Sequence, residues 1–291
     1  MKNSFGIVPY THKAKLIQLV QIVMILIKAY LSKCLIRFLM HKISTVIITK
    51  NEETNIERCL LSVVDFSDEI IVVDDFSTDQ TPAICKRYHV VFVQNKFKDF
   101  ASQKNIALSK AKHALVFSID ADEEVSEKLK QSILAVKSNS DSLFYSVNRQ
   151  TNYLGKWIRY SGWYPDTKIR LWQKEHARWQ GAVHEVLQPK PQEFKHLKGD
   201  ILHYSFPSLQ WHISKLNHFT DIAAERMFSR NKRVSLMKML FSMKFNFLKK
   251  YVFQLGFLDG YHGFLIALMS SYYTLLKYAK LRHLQSKAKK Q

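Results

Sequence analysis

The chain is short of cysteine, glycine, proline and acid, and each shortage excludes something. Its three cysteines, Cys34, Cys59 and Cys85, are odd in number and show no C-x-x-C spacing, which argues against a disulfide framework and a structural zinc site and fits a reducing compartment. Only 8 glycines and 6 prolines occur in 291 residues, with no internal repeat or low-complexity stretch, so the composition is that of a compact, helix-rich chain and not of a linker. Long uncharged runs are missing too. Leu16 to Ile27 is broken by Gln18 and Gln21, and Phe264 to Tyr273 is shorter still, so neither is long enough to span a bilayer. No small-residue cleavage pattern marks a secretory signal.

Acids are the most unevenly distributed residues. Residues 1–42 carry seven Lys or Arg and no acid, residues 208–291 carry fifteen and three, and residues 43–207 carry twenty-two and twenty-one. The net charge of +20 thus resides in two basic flanks around a nearly neutral middle. A basic flank seeks nucleic acid or anionic lipid. In the C-terminal flank Lys238, Lys244, Lys249 and Lys250 alternate with Leu236, Met239, Phe241, Phe245, Phe247 and Phe253, a pattern of helices lying in the headgroup region, which favours a membrane surface over nucleic acid. Leu209, Ile213, Leu216, Ala223 and Met227 fall at helical spacing and predict a helix packing on the middle region, and Asp259 is expected to cap the helix after it. The N-terminal extension reads either as an amphipathic anchor or as sequence ahead of a start at Met40.

What the middle region does have is a short apolar run, Ala114 to Ile119, that ends in Asp120-Ala121-Asp122. A buried strand stopping at D-x-D holds two carboxylates at its exit, where hard oxygen ligands take a divalent cation and leave coordination positions for phosphate. Three further strand-like runs precede it, Ile43 to Thr49, Glu69 to Asp74 and Val90 to Val93. Helix-like segments lie between, at Thr54 to Asp65, Asp79 to Tyr88 and Asp99 to Ala111. Such alternation implies right-handed crossovers and a mainly parallel sheet with ligands at the carboxyl ends of the strands. Polar clusters gather at those ends: Thr49 to Glu53, Asp74 to Asp79 and Asp120 to Glu124. Within them Asp79, just ahead of Pro82, reads as a helix-capping residue, and Glu123 and Glu124 read as charges opening a helix.

Taken in order, VIITKNEETNIERCLLSV, EIIVVDDFSTDQT, FASQKNIAL and VFSIDADEE resemble a family 2 glycosyltransferase of the GT-A fold. The nearest likeness is to bacterial glucosyltransferases that build the inner core of lipopolysaccharide, and it runs from about Ile43 to Leu281. The resemblance implies an α/β, Rossmann-like sheet flanked by helices, a nucleotide-sugar half at 43–145, an acceptor half at 146–207 and a basic helical membrane-docking region at 208–291. It implies a UDP-sugar donor, a lipid-linked saccharide acceptor, inversion at the sugar carbon, Mg²⁺ or Mn²⁺, and a peripheral position on the cytoplasmic face of the bacterial inner membrane. A different donor or acceptor, or a catalytically silent membrane-binding module of the same fold, stays open at this point.

The same resemblance assigns roles. Asp75 would accept a hydrogen bond from the uracil imide, with Thr49, Asn51 and Glu52 around the base and ribose. Asp122 would bind the metal directly, and Asp120 would reach the ribose or a metal-bound water. Gln103-Lys104-Asn105 stands where the family usually has Gln-Arg-Asn, and Lys lacks the planar fork that grips phosphate in two places. Arg170 resembles a charged position facing the diphosphate. An inverting transfer needs a base on the acceptor side; Glu185, in Trp179-Gln180-Gly181-Ala182-Val183-His184-Glu185, is the candidate, with His184 beside it to orient it or bind phosphate. Trp163 is an expected wall for the sugar or acceptor, since aromatic faces stack on the apolar faces of sugar rings.

Overall fold

The computed structural model describes residues 23–24, 41–181 and 185–288. The N-terminal extension up to residue 40, apart from Val23 and Met24, and His184 lie outside the described residues.

The first half alternates strand and helix: β1 (Ile43–Thr49), α1 (Ile56–Val63), β2 (Glu69–Asp74), α2 (Thr81–Arg87), β3 (Val91–Gln94), α3 (Phe100–Lys110) and β4 (Leu115–Asp120). These four strands pair in parallel in the order β3-β2-β1-β4. They are apolar almost throughout because helices cover both faces of the sheet. Alternate side chains point to opposite faces. Thus Ile43, Ile47, Val72 and Phe117 join one core cluster with Leu60 of α1, and Val46, Ile71, Val73 and Val116 join another with Ala107 of α3.

The second half comprises β5 (Glu123–Val125), α4 (Glu127–Ser138), β6 (Phe144–Tyr153), β7 (Lys156–Trp157), β8 (Asp166–Gln173), β9 (Arg178–Gln180), β10 (Val186–Gln188) and β11 (Lys195–Phe206). The main sheet continues β4-β8-β6-β11-β5, with β7 on β6, while β9 and β10 pair separately. Here the sheet is mixed: β8 runs antiparallel to β4 and β6, β5 antiparallel to β11, and only β6 and β11 are parallel. The physical reason is the connection. The chain leaves β6 through a tight turn at Leu154-Gly155, both at positive φ, into β7 and then β8 with no helix between, and without a crossover neighbouring strands reverse.

One expectation fails in this half. Glu123 and Glu124 form β5 and do not open a helix. The helix starts at Glu127, where the Ser126 hydroxyl accepts the Leu129 N–H, the shorter capping side chain winning the N-terminus.

Three helices follow: α5 (Leu209–Ser229), α6 (Leu236–Leu248) and α7 (Gly260–Ala288), the last two joined by a π-helical turn (Lys249–Phe253) and a 3-10 turn (Gly256–Asp259). Helix α5 packs chiefly along α7 and meets the sheet at β11 and, through His212, at Tyr153 of β6. Asp259 does not cap α7 through its side chain. Its carboxylate accepts the backbone N–H groups of Arg159 (3.3 Å) and Tyr160 (2.9 Å), and Lys250 donates to the Ser161 carbonyl at 2.9 Å, so these contacts join the helical region to the β7–β8 loop. Close backbone approach demands glycine at Gly263, where a Cβ would lie 1.8 Å from the Gly256 carbonyl oxygen. Along this region Phe241 and Phe253 are each 72% exposed, with Met237 and Tyr261 similarly open. Among the described residues no single helix is long and apolar enough to cross a membrane; Leu236–Phe253 and Gly256–Ala288, bent by 69°, meet that test of length and composition only as a pair.

Candidate functional site

The carboxyl ends of β1, β2 and β4 open on a cavity of about 570 Å³. β1 supplies Ile48 and Thr49 and the turn after it Lys50 and Glu52, β2 leads into Asp75, and β4 delivers Asp120 with Ala121 and Asp122 beyond. Phe97, Phe100, Gln103 and Lys104 come from the β3–α3 loop and α3, and Arg149, Glu185 and His203 close the wall from the second half. Eight of the residues assigned from sequence thus share one space: Thr49, Glu52, Asp75, Gln103, Lys104, Asp120 and Asp122, with Glu185 opposite them.

Asp75 is positioned by the backbone and by charge. Its carboxylate accepts the Phe97 N–H at 2.9 Å and pairs with Lys50, contacts that hold it below the usual carboxylate range. The neighbouring Asp74 is fully buried and takes the structural job instead, accepting the Ser77 N–H at 2.9 Å and the Ser77 hydroxyl. Asp79 is structural as expected, accepting N–H groups from Thr81 and Glu53, each at 3.0 Å. The Thr49 hydroxyl oxygen is buried with no hydrogen-bond partner among the described residues, although Thr49 lines the cavity. Gln103 is held through Asn95, whose side chain donates to Gln103 Oε1 at 2.9 Å and whose carbonyl accepts from Gln103 Nε2 at 3.1 Å.

At the centre stands a ladder of charge. The Lys104 ammonium lies 3.0 Å from Asp120 Oδ1 and 2.9 Å from Glu185 Oε1, so one buried cation ties α3 to both carboxylates. On the far side of Asp120, Arg170 Nη2 lies 3.4 Å from Asp120 Oδ2 and donates to Glu123 Oε1 at 2.6 Å. Glu123 also pairs with Arg149 at 3.3 Å and accepts the Asp120 N–H at 3.0 Å. Burial alone would raise the Asp120 carboxyl, but Lys104 and Arg170 outweigh it and hold Asp120 well below the ordinary carboxylate range. Burial would likewise lower Lys104, and Asp120 foremost, with Glu185, pushes it above the ordinary lysine value. Asp122 is not part of this ladder. Among the described residues its carboxylate pairs with His203, whose Nε2 is 3.1 Å from Asp122 Oδ2. Glu52, burdened first by burial and then by nearby Asp122, sits above the ordinary glutamate value.

A second cavity, of about 620 Å³, shares Lys104, Asp120, Arg149 and Glu185 with the first and extends past Arg170, Trp179 and Lys190. Glu185 therefore stands in a wall between two spaces and is reachable from both.

Other sequence-assigned residues are placed differently. Asn51 does not line the cavity; its Oδ1 accepts the Thr78 N–H at 2.9 Å and so braces the loop after β2. Arg170 is 3% exposed, faces Asp120 and Glu123, and opens only to the second cavity. Trp163 lies in neither, stacked on Phe206 at 5.0 Å and set edge-on to Tyr153 in the cluster that seats Leu265 and Ile266 of α7. Residues that sequence reasoning passed over include Glu123, Arg149 and His203. Glu123 directly follows D-x-D, yet its burial against two arginines has no signature in spacing. His203 reaches the site only because β11 pairs with β5.

Comparison with known proteins places these features in a family. The model of glycosyl transferase family 2 matches residues 44–189. An uncharacterized glycosyltransferase of Rickettsia typhi is 32% identical over 263 residues, covering 86% of this chain and 90% of its own length. The lipopolysaccharide core biosynthesis glycosyltransferase LpsC of Rhizobium meliloti is 27% identical over 252 residues, covering 82% of this chain and 91% of its own. Among solved structures, S. aureus TarS 1–349 in complex with UDP-GlcNAc covers 86% of this chain and 92% of that chain at 15% identity, with a TM-score of 0.44. A family match over half the chain, with a relative aligned along nine-tenths of its length, makes this protein a member of glycosyl transferase family 2.

Proposed function

We propose that this glycosyltransferase moves a hexose, glucose by the sequence resemblance, from a UDP-sugar to a lipid-linked saccharide such as the lipopolysaccharide inner core, with inversion, at the cytoplasmic face of a bacterial inner membrane. The observation that carries the reading is the convergence of Thr49, Asp75, Lys104, Asp120, Asp122 and Glu185 on one cavity at the carboxyl edge of the parallel strands. The relation to LpsC supports the class of acceptor.

In this reading Asp75, ionised and fixed by Phe97 N–H and Lys50, accepts the imide proton of uracil, and the unpartnered Thr49 hydroxyl adds a second polar contact to the nucleoside. The residues present suit a divalent cation of a particular kind. Among the described residues no three His, Cys, Asp or Glu side chains converge into a closed cage. Asp120 is committed to Lys104 and Arg170, which leaves Asp122 and its neighbour His203 as donors. Mg²⁺ and Mn²⁺ are commonly held by one or two protein ligands plus substrate phosphates, so this pair fits an ion that arrives with the nucleotide. Held by Asp122 and His203, such an ion would supply positive charge against that developing on the leaving diphosphate.

The chain's own charges do the rest. Lys104 holds Asp120 ionised and pairs with Glu185, and a phosphate entering beside it competes for the same ammonium. That exchange frees Glu185 to accept the proton of the attacking hydroxyl, which must approach from the face opposite the leaving group.

The test is release of UDP and formation of glycoside across a panel of nucleotide sugars, with added Mg²⁺ or Mn²⁺ and with chelator. The expected result is turnover with a UDP-hexose, restored by metal after chelation and lost in Asp122→Ala. No turnover with any donor by the wild-type protein, alongside intact folding, would favour a silent module of the same fold.

A further inference from the structure

Away from the catalytic cavity, α5, α6 and α7 enclose a third space of about 320 Å³, large enough for one chain segment of an amphiphile. Its lining divides by chemistry. Phe219, Met269 and Tyr273 make an apolar wall, and Lys215 and Lys250 line the same space, the Lys215 ammonium over the Trp211 ring and the Lys250 ammonium donating to the Ser161 carbonyl. Among the described residues neither lysine has a carboxylate within the 4.0 Å of a salt bridge, and the sequence outside those residues contains no Asp or Glu. Two cations without a counter-ion beside an apolar wall form an incomplete arrangement, and burial, the main cause in each case, pulls both below the ordinary lysine value. Position adds the second half of the case. Lys215 lies near enough to Asp122 and Glu52 of the catalytic cavity to feel their charge. Its other boundary is the helical region whose Phe241, Phe253 and Tyr261 stand open to solvent.

We infer that this space seats the phosphate-bearing lipid portion of the acceptor, the phosphate between Lys215 and Lys250 and the acyl part along Phe219, Met269 and Tyr273. The inference rests on the reading of the acceptor as a lipid-linked saccharide. An anionic amphiphile is the one occupant that satisfies both surfaces: a neutral lipid leaves both lysine charges without a counter-ion, and free phosphate leaves the aromatic wall wet.

Binding of dodecyl phosphate below its micelle concentration tests this in the full-length protein, followed by the fluorescence of Trp211, whose ring lies 3.5 Å from the Lys215 ammonium. Dodecyl maltoside and inorganic phosphate serve as the neutral and the free-anion probes, and UDP binding is titrated on the same samples. The expected result is saturable dodecyl phosphate binding at least tenfold tighter than either comparison probe, weakened at least tenfold by Lys215→Gln with Lys250→Gln. Ser270→Phe, which fills the space, blocks it while leaving UDP affinity within threefold of wild type. Equal affinity for dodecyl maltoside, equal affinity for inorganic phosphate, or indifference to the lysine substitutions would each overturn the inference. Loss of dodecyl phosphate binding with UDP binding intact removes the lipid seat alone, whereas absence of UDP binding by the wild-type protein removes the glycosyltransferase reading beneath it.

Discussion

Single residues decide how the site is charged. Lys104 is the clearest case, because it is buried and compensates two carboxylates from different parts of the chain. Replacing it with methionine leaves Asp120 and Glu185 facing each other without that cation, which destabilises the fold by about 2 kcal/mol once the partial exposure of the acids is allowed for. Urea unfolding of Lys104→Met should show this, with UDP affinity falling in parallel. His212 gives a prediction in pH. Burial lowers its value from the usual 6.5 to about 4, and its Nδ1 lies 2.9 Å from the Tyr153 hydroxyl. The folded state therefore keeps the ring neutral while the unfolded chain takes up a proton below pH 6.5. That contribution to stability is complete above pH 6.5 and declines as pH falls towards 4. In His212→Gln the loss of stability between pH 7 and pH 4.5 should be smaller than in wild type by about 1 kcal/mol, a value reduced for partial exposure. At this scale the sequence was legible where a residue type has one good use at a strand end, as with Asp75, Asp120 and Asp122. It was opaque where burial sets the role: Glu123 reads as a charge opening a helix and is 1% exposed between arginines, and Trp163 reads as a sugar platform and is packed on Phe206.

At the scale of elements, the first half follows from local pattern because each parallel strand is buried on both faces and each crossover needs a helix. The expected and observed boundaries there differ by only one or two residues. The second half depends on pairings between strands far apart in the chain, β6 with β11 and β4 with β8, and no local period encodes those partners. The helical region was legible as helix and as basic, but its attachment was not. Two features carry that attachment, and both can be tested. Gly263→Ala drives a methyl group into the Gly256 carbonyl and should lower the melting temperature sharply, with a cost of about 3 kcal/mol or more. Asp259→Ala removes the acceptor of the Arg159 and Tyr160 N–H groups and should cost about 1 kcal/mol in chemical unfolding. If both variants unfold like wild type, the helical region is held by something other than these contacts.

At the scale of the whole molecule, charge is segregated: a near-neutral catalytic region with acids at its cavity, and a C-terminal flank of net charge +12 that exposes phenylalanines. In the proposed function this separation would let one part handle an anionic nucleotide and the other meet an anionic surface. Vesicles containing phosphatidylglycerol should co-sediment the protein more strongly than purely zwitterionic vesicles. Binding should weaken as salt rises, and Phe241→Ser with Phe253→Ser should reduce it at least fivefold. Equal binding to both vesicle types would refute electrostatic docking.

The central claim is that Glu185 abstracts the acceptor proton in a cavity whose other groups hold the nucleotide. The most direct measurement compares the glycosyl transfer rate with UDP affinity in wild type and Glu185→Gln. The account predicts a fall in turnover of about 10²- to 10⁴-fold with UDP affinity nearly unchanged, since Gln keeps the size of the side chain and removes the basic oxygen. Turnover by Glu185→Gln within a fewfold of wild type would contradict it.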